Sequence, residues 1–252
     1  MSPHPHFSSQ EEQPVGPPVP GWQVPPWPPR GVLSGRTCRL EPLVPEVHGE
    51  ELFAAQASDP TGRHWTWLPY GPFLDQPGYL GWLREFTQGQ DPQFYAVRPS
   101  ASGQACGVCA YLRIMPTAGS IELGHINLSP PLQQTVAATE ALFLMIQQAF
   151  DLGYRRVEWK CDTHNAPSRR SAQRLGFTFE GIFRQAQVVK GRNRDTAWFA
   201  IIDGEWPPLR QAYREWLAPD NFDSTGWQRR RLGEMIARVR SGADPDRGEP
   251  ST

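Results

Sequence analysis

The chain has no uninterrupted apolar run approaching the ~18 residues of a membrane-crossing helix. Its N-terminus lacks the apolar core of a secretory signal. No internal repeat is present, and neither charge dominates. The 25 Lys+Arg and 26 Asp+Glu give a formal net charge of -1, which drives the protein toward neither nucleic acid nor an anionic membrane. The expectation is a cytoplasmic protein with no nucleic-acid or membrane partner. Cysteine is scarce, with 4 in 252 residues. Cys106 and Cys109 form a lone C-x-x-C, and no suitably spaced second His or Cys pair completes a zinc site. The pair falls in a strand pattern that turns its side chains to opposite faces. The four cysteines therefore read as reduced core thiols, and no metal is expected.

Proline and tryptophan are abundant instead, at 27 and 10 residues. Many of the prolines crowd into residues 1–34. There they remove backbone donors and fix φ, so this segment reads as a disordered or extended arm. Residues 35–203 carry regular hydrophobic patterns and form the expected domain. A helical extension over 204–240 and a polar, frayed tail over 241–252 follow.

Within the domain, strands are predicted at Arg36–Leu40, Phe94–Val97, Cys106–Ile114, Ile121–Leu128 and Arg156–Asp162. A hairpin follows, pairing Phe179–Val189 with Thr196–Ile202 around Lys190-Gly191-Arg192-Asn193. Helical spacing marks Pro45–Ala57, Gln76–Thr87 and Thr139–Asp151, with Gly153 as a stop. Trp206–Leu217 and Ser224–Val239 read as the helices of the extension. Strands alternating with a few helices and a late hairpin describe a mixed α/β (α+β) sheet.

The segment Glu122–Arg184 is the most informative. A strand runs into Ser129-Pro130-Pro131 and a polar turn, and then come a helix and a second strand. Asn165 and Ser168 open a short helix that leads to Leu175-Gly176-Phe177. This order resembles the acyl-CoA-binding half of the GNAT N-acetyltransferases, and most closely their ribosomal-protein N-terminal acetyltransferase branch. The resemblance covers roughly Gly35 to Asp203. It implies a mostly antiparallel sheet, flanked by helices, that splays open between the fourth and fifth strands to admit acetyl-CoA.

Several residues inherit expected roles from this resemblance. The turn Gln133, Gln134, Thr135, Val136, Ala137, Ala138, Thr139 enters a helix N-terminus, where free N–H groups and the dipole favour phosphate. The family places a basic residue or Gln, then Gly, then Gly or Ala where Gln133, Val136 and Ala138 stand. Val136 departs from that pattern. Either the loop keeps a negative φ there or its grip on pyrophosphate weakens, with Thr135 and Thr139 as compensating donors. Read alone, the same turn is an ordinary helix cap with Thr139 as N-cap. Asn165 is expected along the pantetheine arm and Ser168 beside the sulfur, while Asn165 as a simple helix cap is the plainer alternative. Backbone N–H groups around Asn127–Ser129, Leu128 included, are expected at the acetyl carbonyl. Ala172 stands where the family often has a tyrosine acid, which leaves Ser168, Ser171 or water to protonate the thiolate.

Glu122 and His125 are the candidate bases on the fourth strand. Strict alternation would put them on opposite faces, so only one would meet the cleft. Asp195 is a third acid, placed structurally at the hairpin. Trp65 and Trp67 lie in the loop where the family builds its acceptor pocket, and either line it or pack the loop. The resulting expectation is acetyl transfer from acetyl-CoA, without a metal, to a small-molecule amine or a protein N-terminus, with a homodimer left open. The alternative is a non-catalytic acyl-CoA-binding or interaction module.

Overall fold

The predicted strands join one sheet. A computed structural model describes residues 15–241. Its strands are β1 (Leu33–Ser34), β2 (Cys38–Pro42), β3 (Gln93–Pro99), β4 (Gly107–Met115), β5 (Ser120–Leu128), β6 (Arg156–Asp162), β7 (Thr178–Val189) and β8 (Arg192–Ile202). In the sheet order β1-β2-β3-β4-β5-β6-β8-β7, every neighbouring pair is antiparallel except β5 and β6. Those two run parallel and pair only from Ser120↔Arg156 to Leu123↔Trp159. Beyond that point β5, which continues to Leu128, and β6, which continues to Asp162, no longer pair with each other, so the sheet splays at its centre.

Helices cover both faces. Helix α3 (Val136–Asp151) lies on one face, with Ala141, Met145, Ile146 and Ala149 fully buried against Tyr111, Ile121, Leu123 and Val157. Each large apolar side chain removed from water there contributes about 1.5–3 kcal/mol. Helix α4 (Ala166–Arg174) packs on the same face, as do α5 (Trp206–Leu217) and α6 (Leu232–Ser241). Phe143 stacks on Tyr213 at 4.8 Å and Phe150 on Trp206 at 4.9 Å, so the extension shares one core with the sheet. The opposite face carries α1 (Pro45–Gln56) and α2 (Gln76–Thr87), over Phe94, Ala96, Val108 and Ala110.

Three expectations change. Helix α3 begins at Val136, because Thr135 is the N-cap and accepts from the Ala138 N–H at 3.1 Å. Thr139 lies inside the helix, with its hydroxyl turned to Thr135 O and Arg174. The predicted helix over Ser224–Val239 shrinks to α6. Asp223 accepts from the N–H groups of Thr225 and Trp227, and buried Asn221 bonds the backbone of Arg230 both ways. These local bonds compete with helix formation.

The arm is also ordered from Val15 onward. Pro25 and Pro28 are buried, Gln93 Nε2 donates to Pro28 O at 3.1 Å and the Tyr95 hydroxyl to Pro29 O at 3.3 Å. The Trp22 ring sits under the Arg155 guanidinium, where a Cβ at Gly119 would meet it at 2.2 Å. Proline removes the donors that regular structure needs but leaves carbonyls free, and the body supplies donors to them. Residues 1–14 of the arm and 242–252 of the tail lie outside the described residues. Among the described residues no helix is long and apolar enough to cross a membrane.

Candidate active site

On the α3 side of the splay, the turn between β5 and α3 presents backbone donors. Gln134 adopts φ 61, while Val136 stays out of the left-handed region as the first helical residue. The Ala138 N–H is held by Thr135 Oγ1 and the Thr139 N–H by Thr135 O. The N–H groups of Gln134, Val136 and Ala137 have no partner among the described residues, as a helix start leaves them. The Ala138 and Thr139 amides and the Thr139 hydroxyl are thus engaged within the cap itself. Gln133 turns its amide back onto Leu128 O at 2.8 Å.

At the end of β5, the Ser129 N–H is committed to Cys106 O at 3.1 Å. Alternation along the antiparallel ladder then turns the Leu128 N–H toward the β6 side of the splay. Across the gap, Asn165 caps α4 by accepting from the Ser168 N–H at 3.0 Å, which leaves its amide NH₂ free. Ser168 Oγ accepts from Trp159 Nε1 at 2.9 Å and lies beside the Cys161 thiol. The indole occupies a lone pair of the hydroxyl, so the hydroxyl proton is available to donate. Ala172 is fully buried.

The other side of the splay opens as a cleft of about 750 Å³ between β5, β6, the loop around Trp67 and the β7–β8 hairpin. Glu122 stands on its floor, 3 % exposed. Arg113 Nη1 lies 2.8 Å from one carboxylate oxygen and Lys160 Nζ 2.8 Å from the other. Burial pushes the Glu122 carboxyl above its usual range, and Lys160 and Arg113 draw back only part of that shift. His125 faces the same cleft. Its φ of 48 sits in a register shift between β4 and β5, a bulge that breaks the alternation and turns the ring onto Tyr70, Phe86 and Phe94. The Tyr70 hydroxyl lies 2.9 Å from His125 Nδ1. Burial pulls the imidazole down to about 4, with Arg113 and Arg194 adding to the effect. Histidine is therefore neutral at pH 7.

Trp67 lines the cleft. Trp65 does not: it is buried edge-on among Tyr70, Phe73, Tyr79 and Trp82, so its role is packing the loop. The Trp65 carbonyl accepts from Lys190 Nζ at 2.9 Å, which ties the hairpin tip to that loop. Asp195 accepts from the Gln185 N–H at 2.7 Å and from Asn193 Nδ2 at 2.9 Å, within the hairpin. Among the described residues no three His, Cys, Asp or Glu side chains gather to hold a metal ion.

A sequence model of the acetyltransferase (GNAT) domain matches residues 38–178. The chain belongs to the GNAT acetyltransferases. The crystal structure of a GCN5-related N-acetyltransferase from Brucella melitensis is 50% identical, covers 87% of this chain and 100% of its own, and superposes with a TM-score of 0.85. An uncharacterized N-acetyltransferase p20 of Bacillus licheniformis is 28% identical over 120 residues, which are 47% of this chain and 66% of p20. The ribosomal L7/L12 alpha-N-protein acetyltransferase RimL, at 21% identity, covers 69% of this chain and 98% of its own with a TM-score of 0.59, a likeness of fold.

In this GNAT chain the sequence reading missed Arg113, Lys160, Tyr70 and the cleft face of β8. Lys160 was within reach of it. Glu158, Lys160 and Asp162 alternate along β6 and share a face with Glu122, whose register partner is Glu158. Tyr70 and the bulge carried no signal of that kind.

Proposed function

We propose that the protein moves the acetyl group of acetyl-CoA to a primary amine by direct attack in a ternary complex. The observation that carries this reading is the divergence of β5 and β6 beyond Leu123 and Trp159. Unpaired backbone donors flank it on the α3 side, and a cleft with charged groups on its walls opens on the other. RimL, which shares the fold, has been solved in complex with coenzyme A.

The Gln134, Val136 and Ala137 N–H groups suit the pyrophosphate, with Asn165 along the pantetheine arm. The Leu128 N–H polarises the thioester carbonyl as it gains negative charge. The amine enters from the α1/α2 face. Its nitrogen bonds to the carbonyl carbon, and the carbon–sulfur bond breaks. Ser168 gives its proton to the departing thiolate and regains one from solvent. The ammonium proton leaves through water to Glu122, whose burial makes it a stronger base than an ordinary carboxylate. Neutral His125 adds an uncharged polar edge beside the amine, so it does not repel an ammonium. The acceptor class is a protein N-terminus, an amino acid or another small amine.

The test is thiol release from acetyl-CoA across a panel of amines, at crossed concentrations of both substrates. Intersecting double-reciprocal lines are expected. Parallel lines would indicate an acetyl-enzyme. If acetyl-CoA binds calorimetrically and no amine releases thiol, the protein is an acyl-CoA-binding module.

A further inference from the structure

Strand β8 lays a row of unused donors along the cleft. Arg194, Thr196 and Trp198 are spaced two apart, so they share one face of the strand, and all three line the cleft. Arg194 Nε, Thr196 Oγ1 and Trp198 Nε1 are buried, and none has a hydrogen-bond partner among the described residues. Buried polar groups are almost always paired with protein, ligand or ordered water, so three orphans on one wall mark where a ligand that displaces water would bond. Arginine and tryptophan nitrogens only donate, so that ligand must present acceptor atoms.

Charge narrows the class. The charged groups of the cleft wall are Arg113, Lys160 and Arg194 against Glu122 and Asp162. Glu122 is taken through both oxygens and Asp162 through Oδ1. Glu122 holds Arg113 and Lys160, and Asp162 accepts from the His164 backbone N–H at 2.8 Å, with His164 Nδ1 at 3.0 Å. Arg194 has only the neutral Gln187 Oε1 and no ion pair among the described residues. A guanidinium with free N–H groups fits a carboxylate in a planar, two-point contact. The Lys190–Trp65 tie spans the cleft and favours a small occupant.

We propose that the acceptor is a small amine that also carries a carboxylate, an amino acid or a close relative, and that Arg194 receives that carboxylate. This rests on the acetyl-transfer reading. Arg194 is then a specificity residue. Its field already reaches His125 and Cys161, so a carboxylate held there keeps the attached amine near the mouth of the splay.

The experiment compares matched acceptors: an amino acid, its carboxamide and its decarboxylated amine. Each is assayed with acetyl-CoA on the full-length protein and on Arg194→Met and Arg194→Lys. The expected result is a preference for the acid of ~10- to 100-fold in kcat/KM, expressed in KM. Met should abolish the preference and Lys should restore part of it, with the acid losing far more kcat/KM than the decarboxylated amine. Equal use of acid and amine by the wild-type protein would overturn the proposal and leave acetyl transfer standing. So would an Arg194→Met enzyme that loses both substrates alike. A preference for succinyl-CoA over acetyl-CoA that vanishes in Arg194→Met would overturn it too, by assigning the carboxylate to the donor. If no amine turns over, calorimetry of the same acceptors with the CoA-loaded protein decides. Binding of the acid that depends on Arg194 supports the site, and no binding overturns it.

Discussion

On the α3 side of the splay, the groups offered to a ligand are mainly backbone N–H donors, held by a helix start and by the end of β5. On the α1/α2 side they are side chains: a doubly paired carboxylate, a neutral imidazole and a row of donors on β8. The first kind of site depends on where the chain turns and tolerates exchange of side chains. Val136 shows this, since it stands where the family has glycine and still opens α3 with an ordinary helical backbone. The second kind depends on which atoms the strands and hairpin bring together, so one substitution should alter chemistry. If the proposed assignment holds, mutation should separate cofactor binding from acceptor chemistry.

The largest expected effect is Glu122→Gln. It keeps the shape of the floor and leaves Lys160 paired with Glu158, but removes the base. Turnover near neutral pH should fall by ~10²–10⁴-fold, with the Michaelis constant for acetyl-CoA unchanged. The loss should shrink at high pH, where the amine arrives deprotonated. Wild-type turnover with an unaltered pH profile would take Glu122 out of the mechanism and leave proton removal to solvent.

His125 supplies the next test, read as stability. Its folded value of about 4 lies below the ordinary 6.5, so in this window the unfolded chain binds a proton that the folded one does not. The contribution is fully present above pH 6.5 and is lost as pH falls toward 4. The slope is at most about 1.4 kcal/mol per pH unit. His125→Gln should flatten the denaturation midpoint over that range. An unchanged slope would mean that the imidazole is solvated and does not pack against Tyr70 and Phe94.

These two residues also show how much the sequence disclosed. The order strand, polar turn, helix, strand, Asn165, Ser168 located the splay, because the path of the backbone follows from element order. Gln76–Thr87, Arg156–Asp162 and Trp206–Leu217 form with the predicted limits, since caps and periodicity are local. The acceptor side was less legible. Strict alternation set Glu122 and His125 on opposite faces, and a bulge of one residue brought both to the cleft. Arg194 reaches that wall only because the hairpin folds over it. The arm misled for a similar reason. Its proline density describes what it cannot form by itself, while Gln93 and Tyr95, distant in sequence, hold it in place.

A smaller effect is expected on the cofactor side from Gln134→Glu. Gln134 is exposed at the mouth of the turn, so the new carboxylate is screened by water. Repulsion of a phosphate at that distance amounts to about 1 kcal/mol, or roughly fivefold in affinity for acetyl-CoA. Turnover at saturating acetyl-CoA should not change. Ala138→Glu is a poor probe of the same idea, because Ala138 is buried in the core under α3. A Gln134→Glu protein with unaltered acetyl-CoA affinity would move the pyrophosphate away from this turn.

The smallest effect is the sharpest test of a backbone-built site. If the Val136 N–H serves the phosphate from a helical first position, its side chain is a bystander to binding. Val136 is partly buried against the core, so Val136→Gly should cost about 1 kcal/mol of stability through lost packing and added chain freedom. Affinity for acetyl-CoA should stay within ~2-fold, because a first-turn N–H has no partner inside the helix whichever residue bears it. A tenfold gain in affinity would mean that the valine holds the turn back from a geometry only glycine reaches. A tenfold loss would mean that its packing sets the direction of the donors. Either outcome would give side chains a share in the cofactor side and erase the contrast with the acceptor cleft.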